Sequence, residues 1–243
     1  MNSENSIIWL ETTDSTNKFT KTLVDNNTIK SGTIIVAKEQ TNGKGQLNNK
    51  WLSEPNQNLT FSIYIEMNIK AIYQFYISKI IALSILKFIS KSTNNATIKW
   101  PNDIYVSDKK IAGILIENTI QGENITKSII GIGININQTN FDKLLPNPIS
   151  LKNITNKTYN LKDTLTEINL IIQQQLEQIN AFNYIDNLYN ASLYKLNEEI
   201  KFTDSDNNIF YGKIIGTEQD GRIKIKTQNS VKRFGFHQIK YVL

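Results

Sequence analysis

The sequence predicts an α+β protein that ends in a small all-β unit. Residues 59–66 alternate apolar and polar side chains, as a half-buried strand does, and residues 69–89 form a long apolar segment typical of a core helix. From residue 199 onward, short strand-like segments alternate with turn signals, which is the pattern of a small antiparallel barrel. We therefore divide the chain into a main domain, residues 1–197, and a C-terminal β domain, residues 198–243.

The main domain is predicted from period-2 and helical patterns and from turn residues. Its elements, in order, are a strand at 7–13, a helix after Asp14-Ser15, strands at 33–40 and 59–66, the core helix at 69–89, a strand at 96–100, a hairpin at 104–117 that turns at Ser107-Asp108, a strand at 128–137, an irregular stretch at 138–160, and helices at 161–179 and 184–196. Asp14 or Ser15 can cap the first helix. The core helix is too often interrupted by polar residues to be a membrane span.

The β domain should contain four strands, separated by the turn sequences DSDNN, QDG and QNS. They are residues 200–203, 209–218, 222–227 and 231–236. A unit of this size is close to the minimum for independent stability, so we expect it to rest on the main domain.

The composition excludes several classes of chemistry. The chain of 243 residues has no cysteine, which excludes disulfide scaffolds, thiolate zinc sites and a thioester intermediate. Its one histidine, His237, and the absence of a G-x-S-x-G elbow argue against a Ser-His-Asp hydrolase. A net charge of +5 suggests an anionic ligand. The N-terminal residues lack a secretion signal, so we expect a cytoplasmic protein without a membrane segment.

The segment TNGKGQLNNKW, residues 41–51, is a candidate ligand-binding loop. It lacks the third glycine and the following helix of a dinucleotide fingerprint, and it lacks the spacing of a P-loop. What remains is a long loop between strands, in which backbone N–H groups, Lys44 and Lys50 can face an anion. The alternative is a mobile connection whose glycines serve only turns.

Two further segments supply polar groups at strand ends. KWPND, residues 99–103, places a lysine, an amide and a carboxylate at a proline-fixed bend, and Lys110, Gly113 and GIGIN at residues 131–135 follow. No nucleophile is paired with a base. The expected chemistry is transfer between bound substrates by positioning and charge stabilisation.

At these residues the sequence resembles a biotin protein ligase, a family that activates biotin with ATP and transfers it to a lysine of a biotin carboxyl carrier domain. The resemblance rests on DSTN at 14–17, EQTNGKGQLNNKW at 39–51, KWPNDIY at 99–105, KKIAGILIE at 109–117 and GIGININ at 131–137, in the family's order. It implies a mixed, mainly antiparallel sheet with helices, an SH3-like C-terminal barrel, a biotinyl-5'-AMP intermediate, and Mg²⁺ with the ATP. No side-chain metal cage can be read from the sequence.

The resemblance also implies roles for individual residues. Those expected to bind biotin are Ser15, Thr16, Asn17, Gln40, Gly43, Lys44 and Gly113. Those expected to bind ATP or the adenylate are Gln46, Asn49, Trp51, Asn102, Lys110 and Asn135. Lys110 is expected to bridge the biotin carboxylate and the α-phosphate, Lys44 to bind the anion, and Asp103 to orient the acceptor lysine and help remove its proton, so these three are the expected catalytic residues.

Two departures from the family pattern qualify these implications. Many members carry G-R-G-R-x-G-R-x-W, whereas residues 43–51 read GKGQLNNKW, so Gln46 and Asn49 replace cations and the adenylate should depend more on Lys50 and Lys110. The DSTN motif begins at residue 14. We therefore expect a monofunctional ligase that binds no DNA, while a homodimer stays open.

Other interpretations remain at this point. The nearest alternative is a lipoate or octanoate ligase, and two others are a nucleic-acid-binding module, suggested by the basic barrel segments, and a biotin sensor without activity. For single residues, we expect Trp100 to be a core aromatic, Lys109 to be a solvated turn lysine, and His237 to be a partly exposed barrel residue without a catalytic part.

Overall fold

The computed structural model describes residues 6–46, 49–143 and 145–242. Leu47 and Asn48 of the candidate loop therefore lie outside the described residues.

The main domain is built on one mixed sheet of seven strands in the order β1-β2-β3-β7-β6-β5-β4. The strands are β1 (Ile7–Thr13), β2 (Ile34–Gln40), β3 (Leu59–Lys70), β4 (Ala96–Lys99), β5 (Asp103–Val106), β6 (Lys109–Gln121) and β7 (Asn124–Ile134). Only β1 and β2 run parallel; the other neighbours are antiparallel. The predicted mixed, mainly antiparallel sheet is confirmed.

Five helices accompany this sheet among the described residues. They are α1 (Thr16–Asp25), α2 (Gln74–Ile89), α3 (Leu151–Thr155), α4 (Leu161–Leu176) and α5 (Phe182–Ala191). By length and composition, Ala71–Ile89 could cross a membrane, but most of it is buried in the protein. It packs against α4, α5 and strands of the sheet, so the prediction of a core helix is confirmed.

The predicted start of this core helix is wrong. Ile69 and Lys70 still belong to β3 and pair with Ile125 and Asn124 of β7, and a 3-10 turn at Ala71–Tyr73 precedes the helix. An apolar segment fits a buried strand as well as a buried helix, so periodicity alone could not place this boundary.

Two elements were not predicted. Helix α3 lies within the stretch expected to be irregular, and a capping box begins it: Ser150 Oγ accepts from Asn153 N, and Asn153 Oδ1 accepts from Ser150 N. Strand β12 (Ile239–Val242) pairs with β8 (Glu199–Asp204) in the C-terminal sheet. Helices α4 and α5 also end earlier than expected, at Leu176 and Ala191.

The C-terminal domain is a five-stranded antiparallel sheet in the order β11-β10-β9-β8-β12. Its strands are β8 (Glu199–Asp204), β9 (Ile209–Thr217), β10 (Ile223–Lys226), β11 (Val231–Phe234) and β12. Buried residues of this sheet, including Phe202 and Ile214, belong to the same hydrophobic cluster as the core of the main domain. The packing supports the expectation that the β domain rests on the main domain, whereas the boundary at residue 197 stays a prediction.

The alternation of GIGININ gives the large sheet two different faces. Ile130, Ile132 and Ile134 of β7 are buried in the core, whereas Gly131 and Gly133 point to the opposite face. On the neighbouring strand, Ser62 pairs with Gly131. The result is a face with a floor of small residues, on which α1 and the candidate loop can lie close to the backbone.

Candidate active site

One wall of the candidate site is the start of α1. Ser15 occupies the N-cap position, but its hydroxyl accepts no hydrogen bond from the helix, so it is available to a ligand. Gln40 Oε1 accepts from Thr16 N (2.8 Å) and from Thr16 Oγ1 (3.2 Å). The Gln40 amide nitrogen takes no part in these bonds, so it can donate to a ligand. Short polar groups of this kind are what an amide-like ligand edge requires.

Beneath this wall, a buried polar network fixes α1 on the sheet. Ser62 Oγ donates to Asn17 Oδ1 (2.6 Å), and Asn17 Nδ2 donates to Glu117 Oε2 (2.7 Å). A Cβ at Gly131 would lie 2.3 Å from Asn17 Oδ1, so glycine is required for this close approach. Asn17 therefore holds the helix in place through both ends of its amide.

The glycine-rich loop connects β2 and β3, as predicted, and its described residues form a small hairpin. Lys44 and Lys50 are antiparallel bridge partners, Gly45 N donates to Asn49 O (2.7 Å), and Trp51 N donates to Gly43 O (2.9 Å). Like charges that face each other across strands repel. An anion bound between the two lysines would relieve this repulsion.

Trp51 lies flat over Gly113 and Gly133, two adjacent residues of the sheet that we call the glycine floor. A Cβ at Gly133 would be only 2.4 Å from Trp51 Cε2, and one at Gly113 would be 3.2 Å from Trp51 Cζ3. The indole Nε1 is buried and has no hydrogen-bond partner among the described residues. A buried donor without a partner costs free energy, so a ligand oxygen could satisfy it.

The charged centre of the site is the pair Lys110 and Asp103. Lys110 Nζ lies 2.7 Å from Asp103 Oδ1, and both side chains are partly accessible. Lys110 Nζ also lies 5.7 Å from the centre of the Trp51 ring. Asn102 is fixed beside them, because its Nδ2 donates to Ile114 O (2.8 Å). The ammonium group is thus held above the sheet at the end of the KWPND bend.

A second lysine, Lys99, lies near this pair. Lys99 Nζ donates to Tyr105 Oη (3.0 Å) and lies over the ring of Tyr241. Burial lowers the pKa of Lys99, while the charge of Asp103 acts in the opposite direction. Burial also raises the pKa of Tyr105 to about 12. Asp103 therefore lies close to two lysines, Lys99 and Lys110.

These groups enclose two cavities that meet at the charged centre. The first, of about 220 Å³, contains most of the predicted site residues: Ser15, Thr16, Asn17, Gln40, Lys44, Gln46, Asn49, Trp51, Asn102, Asp103, Lys110 and Gly113. The second, of about 390 Å³, is lined by Asn135, Leu145, Pro146 and Pro148 together with Asn49, Lys50, Trp51, Leu52 and Lys110. Lys110 and Trp51 therefore stand between two spaces, each able to hold one part of a composite ligand.

Two predicted site residues lie outside the first cavity. Gly43 is buried beneath the loop, where a Cβ would lie 2.6 Å from Trp51 O, so its part is close packing. Asn135 lines the second cavity, and its Nδ2 donates to Ile149 O (3.0 Å). The predicted roles of the site residues remain predictions.

The structure also brings together residues that the sequence did not connect. His237, between β11 and β12, lines the first cavity. Its predicted exposure is confirmed, but its position at the site was missed because no local pattern signals a contact between the two domains. Trp100 is a buried core residue and Lys109 is exposed, as expected, although Lys109 is the first residue of β6 and not part of the turn.

A metal ion would find few protein ligands here. Within residues 6–46, 49–143 and 145–242, no group of three or more His, Asp or Glu side chains could hold a metal. Asp103 and Asn102 offer isolated oxygens. This donor set fits Mg²⁺ that is carried largely by substrate phosphates and water.

Comparison with known proteins agrees with this geometry. Residues 9–135 match the model of the biotin/lipoate A/B protein ligase family. The chain is 27% identical to the bifunctional ligase/repressor BirA of Bacillus spizizenii over 233 residues, covering 93% of this chain and 71% of that protein. It is 28% identical to the biotin--[acetyl-CoA-carboxylase] ligase of Paracoccus denitrificans over 130 residues, covering 52% and 53%.

Among solved structures, the biotin protein ligase from Aquifex aeolicus in complex with biotin and ATP superimposes with a TM-score of 0.79 at 27% identity, covering 98% of both chains. The family model spans more than half of the chain and includes the α1 wall, the loop and the charged centre. The chain belongs to the biotin/lipoate A/B protein ligase family.

Proposed function

We propose that this protein is a biotin--[acetyl-CoA-carboxylase] ligase: it activates biotin with ATP and transfers the biotinyl group to a lysine of a biotin carboxyl carrier domain. The names of its relatives support this activity. The structural observation that carries it is the position of Lys110 between two cavities. An adenylating ligase must join an acid and a nucleotide at one cationic point.

The first half-reaction is the attack of the biotin carboxylate on the α-phosphorus of ATP, with departure of pyrophosphate. The cavity beside Ser15, Thr16 and Gln40 suits the ureido ring, and the cavity beside Asn135 suits the nucleoside. Carboxylate and α-phosphate then meet at Lys110. Its ammonium group stabilises the negative charge that accumulates there, and Trp51 helps exclude water from the mixed anhydride.

The second half-reaction forms an amide bond. The acceptor ammonium first gives up a proton, since an ordinary lysine pKa is about 10.4 and only the neutral amine attacks. Asp103 is the carboxylate closest to Lys110 and is placed to accept that proton. The amine attacks the carbonyl carbon, the bond from carbon to the phosphate oxygen breaks, and AMP leaves.

Several accompanying properties are part of the same proposal. Mg²⁺ would enter the site together with ATP, with Asn102 and Asp103 as the nearby oxygen-bearing residues. The use of ATP favours a cytoplasmic location. Strand β1 is an edge strand of the seven-stranded sheet, which offers a surface for a homodimer. The absence of DNA and membrane partners stays a prediction, and ultracentrifugation and DNA titration would test these points.

The activity is tested by ATP–pyrophosphate exchange with biotin, lipoate or octanoate as the acid. We expect exchange with biotin alone. In Lys110→Ala the exchange rate should fall about 10²–10³-fold, which is the typical loss when one transition-state charge partner is removed. Lys109→Ala is the matched control, because Lys109 precedes Lys110 in the chain but has an exposed side chain that lines neither cavity.

The outcomes separate the alternatives. Exchange with lipoate instead of biotin would assign the protein to the lipoate branch of the family. A folded protein without exchange for any acid would contradict the enzyme proposal and favour a biotin sensor. Equal losses in the two lysine variants would contradict the special position of Lys110.

A further inference from the structure

The β domain contributes a side chain to the cavity of the main domain. His237 lines the first cavity together with Lys44, Asp103 and Lys110. It is the only histidine of the chain and, within the described residues 198–242, the only residue of the β domain that lines this cavity. The turn that carries it, residues 235–238, thus forms part of the site.

The turn holds His237 in an unusual backbone conformation. Its φ is +67°, in the left-handed region that few residues other than glycine adopt. Gly235 N donates to Gln238 Oε1 (2.6 Å), and Gln238 N donates to Gly235 O (3.2 Å), so the turn is closed on both sides. The hydrogen bonds of the turn therefore fix the place of His237 at the cavity.

Trp100, which precedes Pro101, fixes the position of this turn relative to Asp103. Trp100 Nε1 donates to Gly221 O of the β domain (2.8 Å), and the Trp100 ring lies 5.4 Å from the ring of Phe236. Phe236 also lies 5.6 Å from Phe75 of α2. The same buried tryptophan therefore supports both the segment that carries Asp103 and the turn that carries His237.

The acid and the nucleotide are assigned to parts of the site other than the side on which His237 lies. Biotin is assigned to the end beside Ser15 and Gln40, and the nucleoside to the cavity beside Asn135. His237 lines only the first cavity, and its neighbour Phe236 lines a third, of about 200 Å³, that also contains Asn102. The side that His237 lines is thus left for the third reactant, the acceptor lysine.

We propose that His237 contacts the acceptor lysine and holds its amine beside Asp103 for the transfer step. This inference rests on the proposed function. A neutral imidazole nitrogen can accept a hydrogen bond from an amine, whereas Lys44, Lys50 and Lys110 only repel its charged form. His237 thereby adds a hydrogen-bond acceptor to a part of the site that also carries these three lysines.

The test uses the full chain and compares the two half-reactions in His237→Gly. Glycine suits a φ of +67°, so the variant removes the side chain without adding strain. Biotin-dependent ATP–pyrophosphate exchange reports adenylation. Single-turnover transfer from enzyme preloaded with biotinyl-AMP to a purified biotin carboxyl carrier domain reports the second step. We expect transfer to fall about tenfold, as for the loss of one hydrogen bond, and exchange to stay within about twofold.

The matched control is Asn207→Gly, which replaces another exposed residue of the β domain with a φ of +62°, outside the three cavities described here. It should change neither step. Equal losses of exchange and transfer in His237→Gly, or an unchanged transfer rate, would overturn the proposal. A lack of exchange in the unsubstituted protein would instead refute the proposed function, so the two failures are distinguishable.

Discussion

The contact between Trp51 and the glycine floor makes a strict prediction about Gly133→Ala. The new Cβ would lie 2.4, 2.7 and 2.8 Å from three atoms of the indole. To restore an ordinary contact of 3.4 Å, the ring has to move by about 1 Å. The backbone of Gly133 has no positive φ, so an alanine is not strained by its own conformation.

The expected loss is large for activity and small for stability. Displacement of a site group by about 1 Å can reduce the rate about 10²-fold. Overpacking usually costs about 1–3 kcal/mol, and a ring on a loop can move aside, so we expect the free energy of unfolding to fall by only about 1 kcal/mol. Biotin-dependent exchange and chemical denaturation measure the two quantities.

Two further variants test whether the ring is the cause. In Gly113→Ala the new Cβ would lie 3.2 Å from the ring, so a smaller loss of exchange is expected. In a Trp51→Ala background, Gly133→Ala should have little additional effect, because the clash no longer exists. Fully additive losses in this double-mutant cycle, or normal exchange in Gly133→Ala, would refute the reasoning.

Two other predictions concern stability. Lys79 Nζ is fully buried and lies 2.5 Å from Asp186 Oδ1, so Asp186→Asn leaves a buried cation without its partner and should lower the free energy of unfolding by about 3 kcal/mol. Lys79→Met removes the cation itself and should lower the free energy of unfolding by less than about 1 kcal/mol, so equal losses in urea denaturation would contradict this asymmetry. Trp100→Phe keeps the aromatic packing but leaves a carbonyl of the β domain without its donor, so we expect a loss of about 1–3 kcal/mol and faster amide hydrogen exchange in that domain, and unchanged exchange there would contradict the anchoring role.

The sequence predicted those parts of the site that lie on regular elements. The alternation in GIGININ indicates which side of β7 carries glycines. The turn at Ser107 fixes the hairpin that carries Lys110, which pairs with Tyr105 of β5. These features depend on residues that are near one another in the chain. The order of motifs then identified the family.

The remainder depends on packing between distant segments, which no local pattern encodes. His237 reaches the cavity because Phe236 packs on Phe75 and Trp100, more than a hundred residues earlier in the chain. Trp51 lies on the floor because two glycines on different strands are adjacent in the sheet, Gly113 opposite Gly133. Sequence periodicity reports which face a residue occupies, but it does not report what covers that face.

The pairing of Lys44 with Lys50 explains how the loop can bind a phosphate without the arginines that many family members carry there. Gln46 and Asn49 carry no charge, yet Lys50 stands opposite Lys44 across the loop hairpin. In the described part of the chain, neither lysine has an acidic partner within 4 Å. Two cations held together without a counterion bind an anion more strongly than either alone, and they repel each other when it leaves. The phosphate of the adenylate can therefore be held through two single charges instead of bidentate arginines.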